Sequence, residues 1–308
     1  MNDKPELHHP WLVAAWPGMG HVALSAGYYL IAKLNMHVLT EFSPSDFFDI
    51  EQVEVKNGLL RTASPPRNRV FVWNDPRQKR DLIVFLGEAQ PPRGKYPFCT
   101  RLIDFSRELG VEKVFTFAAM ATQMHPEHES RIFTAATSTA MLEELQHLDL
   151  ELVKDGNISG LNGLLLGAAA DAGLQGACLL GEMPHIFAQL PFPKASLAVL
   201  ETFTSLAGLS IDLAELAEQA RAIDDQLGEL LAQVEQETPA SERLEEETVE
   251  ASESPTISPQ DARRIEQLFE QSKSDRSKAY ELKRELDRLH VFANYEERFL
   301  DLFKTSET

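Results

Sequence analysis

The stretch LVAAWPGMGHVALSAGYYLIAKLNMHVLTEF, residues 12–42, decides the fold because it has the pattern of a strand, a tight turn, a helix and a second strand. Its centre, residues 18–23, has the G-x-G-x-x-G/A spacing of a dinucleotide-binding turn. A strand that turns directly into a helix and continues into another strand is the repeating unit of a parallel sheet. The stretch therefore predicts an α/β protein.

The glycine turn has two open interpretations. It could hold a dinucleotide, with Glu41 at the end of the next strand binding a ribose hydroxyl. Alternatively, Gly18 and Gly20 only let the chain turn sharply off the strand. Because Pro17 and Ala23 depart from the preferred dinucleotide turn, we expect no nicotinamide or flavin dinucleotide to bind, and we assign no cofactor.

Short apolar runs alternate with longer helical patterns along the first two thirds of the sequence, which predicts a mainly parallel sheet flanked by helices. The predicted strands are 12–16, 37–42, 82–87, 113–119 and 176–182. The predicted helices are 19–34, 97–110, 138–148, 161–173, 193–208 and 212–235.

One segment departs from this alternation. EQVEVKNGLLRT, residues 51–62, alternates its side chains around Asn57-Gly58, a dipeptide suited to a type I′ turn, and RVFVW (69–73) follows it. We therefore expect an antiparallel hairpin inserted in the α/β core.

Composition limits the classes of partner. With 48 acidic against 29 basic side chains, the formal net charge of −19 disfavours nucleic acid and anionic membranes, because both associations need clustered cations. The most apolar stretch, 161–183, is interrupted by Asp171, so no membrane-spanning helix is expected. Cys99 and Cys178 lack paired spacing and no signal segment opens the sequence, so we expect a cytoplasmic protein.

The composition changes after the predicted helix 212–235. Residues 237–258 are rich in Ser and Glu and have almost nothing to bury, which predicts a disordered acidic linker between a core (1–236) and a C-terminal segment of amphipathic helices (259–308). Ser258-Pro259 suits a helix start. The aromatic stripe at 292–303 needs a surface to cover, either the chain itself or a partner.

Four blocks of sequence together resemble the proteasome assembly chaperone 2 family, across about residues 11–235. The most specific is GNISGLNGLLLGAAADAGLQGACLLGEMP (156–184). The others are WPGMGHVALSAGYYL (16–30), GEAQP (87–91) and PFPKASLAVLETFTSLAGLSID (191–212).

The resemblance implies a nucleoside phosphorylase/hydrolase-like core that forms homo-oligomers, with a trimer favoured, and a binding or assembly-chaperone role without demonstrated catalysis. A proteasome core is the implied protein partner where the host has one. Proteasome-docking proteins often end in a hydrophobic residue, a tyrosine and a final residue, whereas this sequence ends FKTSET, so docking by that route is not expected. The alternative is an enzyme acting on a small polar or nucleoside-like metabolite.

The candidate ligand site lies where the predicted strands end. Because carboxyl ends of parallel strands share one edge of a sheet, Glu88 and Glu182 should meet there, beside the glycine turn, and share a pocket. Carboxylates held together for a ligand repel each other in the empty site, so we predict that Glu88→Gln and Glu182→Gln leave stability unchanged or raise it. If each instead pairs with an arginine, neutralising it costs stability. The candidate ligand-binding residues are Gly18, Gly20, Glu88, Asn162, Gly163 and Glu182.

Other chemistry has weaker support in the sequence. His125 and His128 lie three residues apart beside Glu127 and Glu129, but no third ligand is fixed by spacing, so we predict no metal site. The sequence has neither a G-x-S-x-G nucleophile turn nor a phosphate-binding P-loop, and catalytic residues cannot be assigned from it.

Overall fold

The computed structural model describes residues 6–42, 45–48, 53–62, 64–237 and 259–274, together with isolated positions between 278 and 299. It divides the chain into two compact units, Met1–Gln233 and Val234–Thr308. The predicted acidic linker, apart from Glu237, lies outside the described residues.

The described strands and helices alternate along most of the first unit. The strands are β1 Trp11–Ala15, β2 His37–Glu41, β3 Val53–Lys56, β4 Leu59–Thr62, β5 Asn68–Trp73, β6 Leu82–Gly87, β7 Lys113–Thr122, β8 Ile132–Ala136, β9 Glu151–Leu152 and β10 Gln175–Pro184. The helices are α1 Val22–Lys33, α2 Lys95–Glu108, α3 Thr139–Leu145, α4 Gly160–Asp171, α5 Pro193–Ala207, α6 Ala214–Glu237 and α7 Pro259–Ser274.

Eight of these strands form one sheet in the order β2-β5-β6-β1-β7-β10-β8-β9. Its centre, β6-β1-β7-β10, is parallel, so Val13 of β1 lies opposite Val84 on one side and Phe115 on the other. Antiparallel pairs flank this centre, β5 with β6 and β2, and β8 with β10. The prediction of a mainly parallel α/β sheet is confirmed, and β8 and β9 are strands that the sequence pattern did not predict.

Both faces of the centre of the sheet are covered, which explains why strands such as β1 and β6 are continuously apolar. In β1, Trp11, Val13 and Ala15 point into the core under α1 and α5, whereas Leu12 and Ala14 point into the core under α2 and α4. The sheet is therefore the middle of three layers, and only its ends and rims are free to present functional groups.

The inserted hairpin is present, and it forms a separate two-stranded sheet of β3 and β4. Asn57 and Gly58 at its turn have φ of 52° and 76°, the left-handed values that a type I′ turn requires. RVFVW lies in β5, which joins the main sheet between β2 and β6.

The second unit has its own small core. Ile265, Leu268 and Phe269 of α7 are buried in one cluster with Leu282, Leu286 and Val291. From the aromatic stripe, Tyr295 and Phe299 pack against this cluster, while Phe292 and Phe303 lie outside the described residues. The described part of the stripe thus covers a surface of the chain itself.

Candidate functional site

The glycine turn after β1 is held by the chain segment that follows β10. The Gly20 N–H donates to the Ala188 carbonyl at 3.0 Å, and the Gly20 carbonyl accepts from the Phe192 N–H at 2.9 Å. Gly20 has φ of 60°, and a Cβ there would lie 2.7 Å from Sδ of Met183. A dinucleotide site needs free N–H groups at this turn. The N–H of Gly20 is bonded within the protein, and the left-handed φ favours glycine at this position.

Gln90, which we did not predict from the sequence, joins two of the predicted site segments. Its Nε2 donates to the Pro17 carbonyl at 3.4 Å, and its Oε1 accepts from the Leu161 N–H at 3.3 Å. The first N–H groups of a helix have no partner within the helix, so Gln90 supplies one for α4. Its signal in the sequence is the GEAQP block.

Glu182 is a buried structural carboxylate. Its Oε1 accepts from Arg131 Nη2 at 2.6 Å and from the Thr122 hydroxyl at 2.7 Å, and its Oε2 accepts from Arg131 Nε at 2.7 Å. Burial alone would raise the pKa of Glu182, but the hydrogen bonds from Arg131 and Thr122 outweigh it and hold the pKa below its ordinary value. Arg131 also donates to Glu151 at 2.7 Å, so it ties β10 to the end of the sheet.

Glu88 is tied to the neighbouring strand. Its Oε1 accepts from Arg69 Nη2 at 3.0 Å, and its Oε2 accepts from the Arg67 N–H at 2.9 Å. Arg67 also pairs with Glu41 at the end of β2. These contacts clamp β2, β5 and β6 together at the rim.

The structure does not bring Glu88 and Glu182 next to each other. Their strands, β6 and β10, are separated by β1 and β7. Three strand spacings of about 4.8 Å place the carboxylates' backbones about 14 Å apart, too far for mutual repulsion to dominate. Each carboxylate instead has an arginine partner. We expected that neutralising either carboxylate leaves stability unchanged or raises it. At Glu182 the mutual repulsion behind that expectation is absent.

Asn162 and Gly163 lie at the start of α4, as predicted. The Asn162 carbonyl accepts from the Thr116 hydroxyl at 3.3 Å, while its side-chain Oδ1 is buried without a hydrogen-bond partner. A Cβ on Gly163 would lie 2.0 Å from the Ile158 carbonyl oxygen, so this glycine is required by the close approach of two backbone segments.

A cavity of about 410 Å³ lies beside the outer face of α4. We call it the α4 groove; α4 contributes Gly163, Leu166, Gly167 and Ala170, and Val153 and Ile158 come from the loop after β9. Ala135 and Thr137, at the end of β8, complete the lining. Of the six predicted site residues, Gly163 lines this cavity. Its lining is mixed, since Lys154 and Asn157 of the same loop add polar groups beside the aliphatic side chains.

Lys194, near the start of α5, anchors the loop that contains His125 and His128. Its ammonium donates to the carbonyls of Pro126 at 2.6 Å and His128 at 2.9 Å, and it pairs with Asp224 of α6 at 2.7 Å. In the described part of the chain, no three His, Cys, Asp or Glu side chains lie together as a metal site requires. The loop serves to connect α5 and α6 with the end of β7.

The two cysteines lack the properties of a nucleophile. Both Cys99 and Cys178 are free thiols buried in the core. Burial raises the pKa of each thiol to about 12, so neither forms the thiolate that attacks a substrate at neutral pH. None of the helices in the described ranges combines the length and the hydropathy that crossing a bilayer requires.

Comparison with known proteins gives one consistent result. The sequence profile of the PAC2 family matches residues 12–231. PbaB of Pyrococcus furiosus, an archaeal proteasome activator, is 28% identical, with a TM-score of 0.62 over 74% of this chain and 96% of PbaB. PbaA of the same organism, an archaeal homolog of proteasome-assembly chaperone, is 25% identical, with a TM-score of 0.58 over 76% of this chain and 97% of PbaA. An uncharacterized protein of Methanocaldococcus jannaschii is 28% identical over 269 residues, which cover 86% of this chain and 95% of the relative.

Proposed function

Because the chain belongs to the PAC2 family, we propose that it acts by binding proteins, as an oligomeric assembly-chaperone-like protein without catalysis. The observation that carries this proposal is the family match across residues 12–231, which spans nearly all of the first unit. PbaB is a proteasome activator and PbaA a homolog of a proteasome-assembly chaperone. A proteasome core is therefore the first protein partner to test where the host encodes one.

The state of the polar groups at the sheet rim supports binding over catalysis. A catalytic carboxylate must reach a substrate, but Glu182 is buried against Arg131. Glu88 is more exposed, and both of its oxygens accept hydrogen bonds from the neighbouring strand. Gln90 bridges two backbone groups of the protein itself. These groups therefore favour a role in holding the loops of the rim in place.

Exposed apolar side chains supply surfaces that a protein partner can cover. At the rim, Met19, Ile186 and Leu190 are exposed near the glycine turn, and the β3–β4 hairpin exposes Val55 and Leu60. Large apolar side chains grouped on a surface are typical of interaction sites. We extend the proposal to self-association, with a trimer favoured by the resemblance of the family to phosphorylase-like oligomers.

Native gel electrophoresis with a purified proteasome core tests the proposal. We expect the chain to shift the core particle, or its isolated α-subunits, at micromolar concentration. The proposal is contradicted if the chain does not shift the proteasome core of its own host and instead turns over a nucleoside or another polar metabolite. That result would favour an enzyme.

A further inference from the structure

The sequence contains two asparagines that directly precede a glycine, at Asn57-Gly58 and Asn162-Gly163. Asparagine is among the thermolabile residues, because the peptide nitrogen of the next residue can attack its side-chain amide carbon. Glycine at that next position hinders the attack least, since it has no Cβ. The two sites therefore share the same local chemistry, and the fold decides which of them reacts.

Asn57 and Gly58 form the turn of the β3–β4 hairpin, and both residues are exposed. The hydrogen bond of a two-residue hairpin turn joins the flanking residues, here Lys56 and Leu59, so it does not use the peptide nitrogen of Gly58. A Cβ at Gly58 would have no heavy atom within 4 Å, so the space beside this peptide is open. The attacking nitrogen and the amide that it attacks are thus both accessible to water.

The hairpin can open without disturbing the core. The five-membered ring that the attack forms requires rotation about the Cα–C bond of Asn57, which opens the turn. Every residue of β3 and β4 is exposed, and the two strands pair with no other strand in the described ranges. A lone two-stranded sheet is at best marginally stable in water, and segments with few buried contacts open most readily. Asn57 therefore reaches the reactive conformation while the α/β core stays folded.

Asn162-Gly163 is held in place by the core. It lies near the start of α4, and the side-chain oxygen of Asn162 is buried. The same rotation there would break the first turn of a helix in which Leu161 and Leu165 are fully buried. Exposing two leucines makes such an opening at least about a hundredfold rarer. The fold therefore protects this second site.

We propose that Asn57 is a site of spontaneous covalent modification, at which water converts asparagine to aspartate and isoaspartate in the folded protein. The peptide nitrogen of Gly58 gives its proton to solvent and forms a bond to Cγ of Asn57. The Cγ–Nδ2 bond breaks, and Nδ2 takes up a proton and leaves as ammonia. This step closes a succinimide ring.

Water then opens the ring at one of its two carbonyl carbons. Addition of water at Cγ breaks the newly formed bond and gives aspartate. Addition at the main-chain carbonyl carbon of residue 57 breaks the original peptide bond and gives isoaspartate, in which the chain continues through the side chain. In both cases one water is consumed and one ammonia released, and the turn gains a carboxylate.

The modification changes the surface of the hairpin. Isoaspartate adds a methylene carbon to the backbone, which does not fit the two-residue turn that sets Val55 opposite Leu60. The exposed apolar pair therefore loses its fixed register. The inference concerns the chemistry of the hairpin alone and stands whether or not the proposed function does.

Peptide mapping by mass spectrometry, after prolonged incubation of the full chain near neutral pH, measures the reaction at each asparagine. Asn57 should react at least about ten times faster than Asn162. Its two products should have equal mass and separate by chromatography, and the rate should rise with pH because the attacking nitrogen must lose its proton. Equal rates at Asn57 and Asn162, or an unchanged Asn57, would overturn the inference.

Asn35 is a matched control within the same molecule. It is exposed and has a left-handed φ of 48°, close to the 52° of Asn57, but it precedes Met36 instead of a glycine. Its reaction should be slow, because the side chain of the next residue hinders the attack. A rate at Asn35 that matches the rate at Asn57 would show that the glycine is not required and would contradict the proposed chemistry.

Incubation in urea separates the effect of the fold from that of the sequence. In the unfolded chain, Asn57 and Asn162 should react at similar rates, since each precedes a glycine. If Asn162 stays slow in urea, α4 is not what protects it, and the inference fails.

The Asn57→Gln variant tests the assignment by charge. Glutamine would have to close a larger ring, so this variant should lack the more acidic form that the parent accumulates on ion-exchange chromatography. The hairpin lies outside the core, so the α/β fold is retained. An acidic form that accumulates equally in the variant would place the modification at another residue and overturn the inference.

Discussion

Glu182 and Arg131 form an asymmetric ion pair, because the carboxylate side chain is 1% exposed and the guanidinium side chain is 55% exposed. Removing Arg131 and neutralising Glu182 therefore have different consequences for stability. Loss of Arg131 leaves a buried charge without its main donor, whereas loss of the Glu182 charge leaves a cation that water can still reach and that Glu151 still pairs.

Glu182→Gln should lower the free energy of unfolding by about 1–3 kcal/mol, since charge-assisted hydrogen bonds are lost at a buried site. Arg131→Met should be the more damaging of the two variants. Urea unfolding at pH 7 measures both. Glu88→Gln is the exposed control and should cost less than about 1 kcal/mol, as solvent-screened pairs do. Equal effects of Glu88→Gln and Glu182→Gln would contradict the assignment.

The same pair predicts a dependence on pH. Because the pKa of Glu182 is lower in the folded protein than the value of about 4.3 in an unfolded chain, its contribution to stability is complete above that value. It is lost as the pH falls through the folded pKa. The difference in urea midpoint between the parent and Glu182→Gln should therefore shrink from pH 7 to pH 3. A difference that stays constant over this range would argue against an ionised Glu182.

The sequence predicted that Glu182 lies at the carboxyl end of a strand, but it could not supply the partner. Arg131 precedes β8, a short strand whose alanines and threonine gave no clear strand pattern. Gln90 was missed for a different reason, since its role depends on the position of two backbone groups that no side-chain pattern reports. Residue types at strand ends are predictable from sequence, whereas their partners depend on tertiary contacts.

Two of the glycines in helix α4, Gly163 and Gly167, lie four residues apart and differ in what surrounds them. A Cβ on Gly163 would overlap the Ile158 carbonyl, whereas a Cβ on Gly167 would make an ordinary contact with Tyr96 at 3.9 Å. Glycine inside a helix costs up to about 1 kcal/mol relative to alanine. Each glycine is therefore either required by its surroundings or replaceable by alanine with a gain in stability.

Gly163→Ala should lower the free energy of unfolding by roughly 1–3 kcal/mol, because its Cβ would overlap backbone that must move. Gly167→Ala should raise it by about 0.5–1 kcal/mol, the usual gain in helix propensity. Thermal and urea unfolding of the two variants give the comparison. Stabilisation by both substitutions would mean that the 156–160 loop can shift away from α4.

At the level of elements, the sequence predicted the parallel centre because strands buried on both faces are continuously apolar. It also predicted the hairpin, since Asn57-Gly58 fixes the turn by backbone conformation alone. It missed β8 and β9 because a five-residue and a two-residue strand carry too few side chains to establish a period.

For the whole molecule, the boundary after α6 can be tested by truncation. A chain ending at residue 236 should keep the melting temperature of the first unit, since it retains Leu216 and Leu227 in the core and Asp224 beside Lys194. A chain ending at residue 213 should melt much lower, because burial of each leucine is worth about 1.5–3 kcal/mol. Differential scanning calorimetry measures both. A large loss in the longer chain would place residues after 236 in the same cooperative unit.

The glycine turn has a consequence for the order of folding. Gly20 exchanges hydrogen bonds with Ala188 and Phe192, and more than half of the chain lies between these partners. Closing so long a loop costs entropy that local contacts cannot repay, and contacts of high sequence separation slow folding. During synthesis, β1 and α1 leave the ribosome early, but the left-handed turn between them is fixed only after β10 and the segment beyond it have been made. The first turn of the chain is thus completed only when the segment beyond β10 packs against it, and amide exchange at Gly20 reports when that contact has formed.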